Sequence, residues 1–465
     1  MSKLSGFAVD LRGVLIGYAV ILLIAILSTP LWLSEILQLG ASIPGTFRLL
    51  MAWMAITPGA TPIYFFTEFP LVVAFGHSAF VARLPTLIFA LAGCVVFSRI
   101  ARRIPLQQPL LATCLFVLVP IHYQFATLAI STEEALLFLL LATLYFMRLV
   151  ESESIRDAVF YAAFLLLCLY TEPMSYLPAI GYVLGLLVFV MRKEARRIIW
   201  ISLPATIAPV LLFLPFALWS HPFASKAWLY EGDHFAIGPL AYLAAFRELS
   251  APGWPGYLLS PLLLAGAAFG GWRAIRLPEA MIFKRLRLIC VLGGVVSTIV
   301  LALIIDSTSS GFFSASQIFW TLPGLIVLVS AALDWVSSTL KMRVVATSAA
   351  ALLMLLCVGG DIENFTIHPY DVSQGAKLIG PLLTDDTCLV FVSETLSESI
   401  FSVFDPHLAK RQCVDFFHKR IVLASHPFVR ADQQEDAETY FRGLNFVETQ
   451  RMEVSGSKII VVQQR

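Results

Sequence analysis

Eleven stretches of this sequence run almost without charge for long enough to cross a hydrocarbon layer: 14–33, 80–98, 108–126, 133–148, 157–171, 174–191, 198–219, 256–272, 288–305, 318–335 and 344–360. A bilayer core about 30 Å thick takes roughly 20 helical residues. In lipid each backbone N–H and C=O must be paired within its own segment, so these stretches are expected to be helices. Composition agrees. Hydrophobic residues make up 58% of the chain and charged residues 14%, against roughly 45–50% and about 25% in soluble domains. The expected fold class is a polytopic α-helical membrane protein with about eleven transmembrane helices over residues 1–360. The first stretch, Val14 to Leu33, is too long for a signal-peptide core and no small-residue cleavage site follows it, so it reads as a retained span. The net charge of +1 gives no electrostatic case for nucleic acid as a partner.

Lysine and arginine set the expected orientation. With the N-terminus in the cytoplasm, the inner connections hold 18 such residues, from Lys3 and Arg12 to Lys341 and Arg343. The outer connections hold only Arg48, Arg83, Lys226 and Arg247. This asymmetry is the positive-inside pattern. It implies a multi-pass cell-membrane protein with an odd number of spans, the N-terminus inside and the C-terminus outside.

Two outer segments stand out. Residues 34–79 contain two short stretches, Thr46 to Ile56 and Ile63 to Phe75, suited to helices lying in the interface. Trp32, Trp53, Tyr64, Phe65 and Phe66 fit headgroup depth. Residues 220–255 mix Trp228, Tyr230, Glu231, Asp233 and His234. From about 361 the composition turns polar. Cys388–Ser393, Ile421–Ser425 and Lys458–Gln464 read as strands and Asp432–Leu444 as a helix, so residues 361–465 are expected to form a small extracytoplasmic α/β domain. Cys94, Cys114, Cys168, Cys290 and Cys357 lie in apolar stretches and read as buried packing residues. Cys388 and Cys413 fall in the tail, where an oxidising compartment would permit a disulfide but their spacing does not require one. The tail has no glycine-rich phosphate loop or metal-ligand spacing. No internal repeat suggests an inverted-repeat transporter.

Charged groups beside a membrane mark function more often than charges on a soluble surface. Here they gather on the expected outer side: Glu35 after the first span, Arg48 and Glu68 on the interfacial stretches, Arg83 at the start of the second span, and His122, Tyr123, Glu133 and Glu134 around the third outer loop. Glu172, Tyr176, Asp306 and Gln317 flank later loops. Each has an ordinary explanation. Arg83 is also an interface anchor, Glu133 and Glu134 are favoured in the first turn of any helix, and Trp228 belongs in an aromatic belt. Their concentration on one side is the stronger signal.

The order of short motifs resembles that of GT-C glycosyltransferases. Pro30-Leu31-Trp32-Leu33-Ser34-Glu35 is similar to the W-x-D-E segment after that superfamily's first span. Thr61-Pro62-Ile63-Tyr64-Phe65-Phe66 resembles its H-P-P-L-Y-Y run, and Phe75-Gly76-His77-Ser78-Ala79-Phe80-Val81-Ala82-Arg83-Leu84-Pro85 its F-G-x-S-x-x-x-x-R-L-P run. Phe47-Arg48-Leu49-Leu50 lies between the first two, Ala101-Arg102-Arg103 follows one span later, and Ser131-Thr132-Glu133-Glu134 resembles the entry to the fourth span. The resemblance covers roughly residues 10–360 and is nearest to aminoarabinose- and galacturonic-acid-transferase-like proteins and protein O-mannosyltransferases.

That resemblance implies transfer of a sugar, with inversion, from a polyprenyl-phosphate donor to a lipid, polysaccharide or protein acceptor at the outer face of a bacterial inner or plasma membrane. It makes Glu35 the candidate general base. Arg83, Tyr64, Glu68, Glu134, Trp228 and Arg48 become candidate substrate-binding residues, with arginine suited to phosphate. The sequence identifies no metal site, and the few outer carboxylates do not demand one; the polyprenyl-phosphate sugar is a donor substrate rather than a cofactor. Three positions depart from the family pattern: Ser34 stands where the first acid is Asp, Thr61 where His is usual, and Gln317 where an Arg often precedes a late span. These changes raise the alternative of a catalytically inactive relative that binds a lipid-linked glycan or scaffolds an envelope assembly. A transporter would instead need charged or broken helices at mid-membrane depth.

Overall fold

The computed structural model describes residues 11–29, 31, 35, 39, 62–76, 78–104, 106–189, 193–227, 247, 253–278, 282–309, 318–338, 342–366, 372–384, 386–392, 407–411, 413, 420–425, 431–454 and 457–464. The first interfacial stretch, Trp32, Ser34, Arg48, Trp53, Thr61, Trp228 and Gln317 lie outside the described residues.

Each of the eleven apolar stretches overlaps one or more helices among the described residues. These are α1 (Leu11–Ser28), α3 (Ala79–Arg103), the pair α4 (Pro109–Leu118) and α5 (Pro120–Ala126), α6 (Thr132–Ser152), α7 (Ile155–Thr171), a 3₁₀ turn leading into α8 (Leu177–Leu187), α9 (Lys193–Ala227), α10 (Gly253–Ile275), α11 (Ile282–Ser309), α12 (Leu322–Ser338) and α13 (Arg343–Thr366). Among the described residues eight helices are long and apolar enough to cross a membrane singly, and the bent α4–α5 pair makes a ninth if it counts as one span. The chain is therefore a multi-pass membrane protein. α7 and the 173–187 segment are shorter than the sequence suggests for full spans.

Local chemistry explains the ends and breaks. Ser78 caps α3, its Oγ accepting the Val81 N–H at 3.3 Å. Gly76 takes a left-handed φ of 85° in the turn between α2 (Pro62–Phe75) and α3. α4 and α5 meet at 63° because Val119, preceding a proline, is extended and Pro120 has no N–H to continue the ladder. α8 and α11 cross closely. A Cβ on Gly181 would sit 2.0 Å from the Gly293 carbonyl oxygen, and one on Gly185 would sit 2.7 Å from the Cys290 Cα. Small residues four apart let the two backbones touch, which in lipid is a main source of helix association.

At the C-terminus, α14 (Val372–Ile379), β1 (Thr387–Phe391), β2 (Arg420–Ser425), α15 (Ala431–Gly443), β3 (Phe446–Val454) and β4 (Ser457–Gln464) form a small α/β unit. The sheet order is β1-β2-β4-β3, with β1 and β2 parallel and the other pairs antiparallel. The three expected strands and the expected helix are present. α14 and β3 are additions, and a disulfide joins Cys388 to Cys413. Cys388, Ile421, Leu423, Ile460 and Val462 pack with Phe441 of α15 and with Phe446. On the other sheet face, Leu389, Phe391, Val422, Ala424, Ile459 and Val461 share one core with Ala376 and Ile379 of α14 and with Leu31, Leu39, Val72, Val81, Ala82 and Ala129 of the helical bundle. Apolar contact thus continues across the compositional boundary at 360. The sheet seats on the end of the bundle formed by the close of α1 and the starts of α3 and α6.

Candidate functional site

Beneath the sheet lies a buried ion pair. Arg83 Nε donates to Glu35 Oε1 at 2.6 Å and Nη2 donates to Oε2 at 2.7 Å, with both side chains fully buried. The fork-to-fork geometry is the strong form of this interaction. Each partner is further committed. The Ala129 N–H donates to Glu35 Oε1 at 2.7 Å. Arg83 Nη1 donates to the Ile26 carbonyl at 3.2 Å and to both the carbonyl and Oγ1 of Thr29 at 2.9 Å. Those carbonyls belong to the C-terminal end of α1, where helix acceptors lack intrahelical partners. One arginine therefore ties the end of α1, the following segment at Glu35 and the start of α3 together, and Glu35 ties them to the turn before α6.

Tyr64, Glu68 and Glu134 are buried around this pair. The Tyr64 hydroxyl lies 3.2 Å from Thr86 Oγ1 and donates to the Ala82 carbonyl at 3.5 Å. Its phenol is within electrostatic reach of Glu68, Glu35 and Glu134, and burial followed by the Glu68 charge holds it protonated well above its ordinary range. Glu134 is 1% exposed and its Oε2 has no hydrogen-bond partner. Five of the seven site residues expected from sequence thus converge, and all five are enclosed. Arg48 and Trp228 lie outside the described residues.

A second polar group sits deeper and brings in residues the sequence did not place in the site. Tyr18 is seven residues from the start of α1 and ten from its end. Its hydroxyl is 3.3 Å from His122 Nδ1 on α5. His122 Nε2 is 3.4 Å from Glu133 Oε2, too poorly aligned to make a hydrogen bond. All three side chains are buried. Phe97 and Phe116 stack at 4.2 Å, and Phe116 packs on the His122 ring at 4.3 Å. Glu133 Oε1 and Asp361 Oδ1 lack hydrogen-bond partners, and Tyr18 is within electrostatic reach of both carboxylates and of Tyr123. The break at Pro120 makes this possible by turning α5 out of line with α4. A histidine two residues after a proline inside an apolar stretch was the available signal. Tyr18 and Asp361 gave none. Among the described residues, no three His, Cys, Asp or Glu side chains are grouped to hold a metal ion.

The fold built from this helical bundle and the small mixed sheet at its end is similar to that of solved membrane-protein structures. Two solved structures of ArnT show the likeness. ArnT from Cupriavidus metallidurans in the apo state superposes with a TM-score of 0.59 at 13% identity, covering 96% of each chain. The same protein bound to undecaprenyl phosphate gives 0.60 at 13% identity, covering 98% of each chain. No protein-family model matches the sequence, and no curated protein matches it.

Proposed function

We propose that this chain is a membrane glycosyltransferase that moves a sugar from a polyprenyl-phosphate donor to an acceptor hydroxyl on a lipid, polysaccharide or protein of the cell envelope. The observation that carries this reading is the fold match to ArnT over at least 96% of both chains, too complete to leave out either the bundle or the sheet. Undecaprenyl phosphate bound to that neighbour supports a polyprenyl phosphate as the lipid partner. The lysine and arginine asymmetry supports a bacterial inner or plasma membrane location, with the N-terminus cytoplasmic and the sheet outside.

In the reaction, the acceptor oxygen bonds to the sugar anomeric carbon as the bond from that carbon to the phosphate oxygen breaks. The acceptor proton passes to a carboxylate and the carrier phosphate leaves. Glu35 is the acid expected from sequence to take the proton, but both its oxygens are held by Arg83 and one also by Ala129. It would accept a proton only on release from Arg83. We therefore assign Glu35 and Arg83 to positioning and the proton-accepting role to Glu134, which has an unpartnered oxygen in the first turn of α6. Tyr64 and Glu68 line the same group, while Arg48 and Trp228 are retained as donor-binding candidates.

The test is transfer from synthetic polyprenyl-phosphate sugars by purified protein in proteoliposomes. Glu134→Gln should lower turnover by about 10²–10⁴-fold, the usual worth of general base catalysis, with donor binding and melting temperature retained. Full turnover by Glu134→Gln would remove it from the mechanism. Failure of any polyprenyl-phosphate sugar to bind would end the whole reading. The locked Glu35 and Ser34 favour one second reading, a donor-binding protein without turnover. Donor binding with no product from the wild type would select it.

A further inference from the structure

At the end of the bundle away from the sheet, α10 closes on two cations, Arg273 and Arg276, that stack on indoles of α10 and α12. Arg273 lies over the Trp335 ring at 4.2 Å and near the Trp272 ring at 5.6 Å, and Arg276 lies over the Trp272 ring at 4.6 Å. Phe269 backs both indoles, at 5.6 Å from Trp272 and 5.2 Å from Trp335. Among the described residues no carboxylate forms an ion pair with either arginine, and Arg273 Nε is buried with no hydrogen-bond partner. Trp335 Nε1 also has none. The nearest acid on these helices, Asp334, is already engaged: it accepts the Gln107 backbone N–H at 2.5 Å and interacts electrostatically with Lys284. Neighbouring cations are occupied too. Arg285 lies over Phe189 at 5.6 Å, and Arg287 bonds Glu151 at 2.8 Å.

Arginine at a membrane-facing helix end usually pairs with acid or extends into water. Here the guanidinium groups are drawn onto indoles, an arrangement worth most when water is excluded. A guanidinium held by its face keeps its in-plane N–H groups for an oxyanion. The apolar surface beside them faces outward: Trp272 is 42% and Ile275 50% exposed. Cations, tryptophan and lipid-facing aliphatic surface at one level match the headgroup and upper chain of an anionic phospholipid. Basic pockets between helices on the cytoplasmic side bind such headgroups.

We propose that Arg273 and Arg276, braced by Trp272 and Trp335, form a binding site for the phosphate of an anionic diacyl phospholipid, separate from the donor site at the opposite end. The proposal does not depend on glycosyl transfer. The test is native mass spectrometry and thermal unfolding of the full chain in nanodiscs of phosphatidylcholine with or without phosphatidylglycerol. Wild type should retain phosphatidylglycerol in preference to phosphatidylcholine and melt higher in its presence. Arg273→Gln or Arg276→Gln should each lower that preference about fivefold, the worth of one basic side chain near an anionic surface. Arg196→Gln, at an exposed cation of α9, should leave it intact. Three results would overturn the proposal: no lipid preference in wild type, an equal loss from Arg196→Gln, or the same stabilisation from millimolar inorganic phosphate in phosphatidylcholine alone. If both glutamine variants fold poorly, Arg276→Lys keeps the charge while losing the stacked plane, and undiminished retention by that variant also counts against the site.

Discussion

Arg83 and Glu35 are unequal partners. Removing the guanidinium takes two charge-assisted donors from a buried carboxylate that also accepts the Ala129 N–H, whereas removing the carboxylate charge leaves Arg83 its contacts with Ile26 and Thr29. Breaking a buried pair by deleting one partner costs about 3–5 kcal/mol. Arg83→Gln should therefore reach that range in detergent unfolding, and Glu35→Gln should cost less, since the amide keeps the shape and one acceptor. The double variant should be less destabilised than the sum of the singles, with a coupling of about 0.5–3 kcal/mol. Equal or reversed costs would mean that the carboxylate, not the arginine, organises the junction. The sequence marked both residues as interesting because charge beside lipid is costly. It did not show that they face one another across 48 positions, since pairing depends on the path of residues between the spans rather than on any local pattern. Burial was equally hidden: the same Glu35 that reads as an outer-loop base is fully buried.

Periodicity and length made the helices legible, because lipid leaves a long uncharged segment no alternative to intrahelical pairing. The break at Val119 and Pro120 was less so, since hydropathy averages over it. β3 escaped for the opposite reason. Its run Glu448-Thr449-Gln450-Arg451-Met452-Glu453 is mostly solvent-facing, with a register shift between Glu448 and Gln450, so it lacks the apolar run that betrayed β2 and β4. Two element-level outcomes follow from the helix geometry. Gly293→Leu should separate α8 from α11, because the new side chain would meet the Gly181 carbonyl at a position where even a Cβ comes within 2.3 Å. The expected result is loss of monodisperse protein on size exclusion, while Ser297→Ala, which removes only a hydroxyl bonded to the Leu177 and Gly294 carbonyls, should cost about 1 kcal/mol. Pro120→Ala restores a backbone donor and relaxes Val119, so α4 and α5 should draw into line and pull His122 away from Tyr18. Tyr18→Phe should then cost less in the Pro120→Ala background than in wild type, and an unchanged cost would show that the bend does not position the histidine.

On the scale of the whole molecule the sheet and the bundle are joined through one apolar core. Leu31, Leu39, Val72, Val81, Ala82 and Ala129 are buried in the same cluster as Leu389, Phe391, Val422 and Val461. Composition changes near residue 360, yet the contact between the two regions is apolar. The Arg83–Glu35 pair lies at that junction, so water kept out by the sheet is water kept away from the ion pair. A chain ending at residue 366 keeps every candidate span yet uncovers those six side chains and the charged pair beneath them. Buried apolar surface is worth about 25 cal/mol per Å², and the ion pair weakens as the local dielectric rises. The shortened chain should insert into membranes, melt well below the full protein and lose most of the coupling measured between Arg83 and Glu35. Val461→Asp in the full chain should reproduce the lower melting temperature, because β4 would then bring an unpaired carboxylate to the shared core. If both proteins kept the full chain's melting temperature and Arg83–Glu35 coupling, the sheet would be an appended domain and the pair would owe its strength to the helices alone.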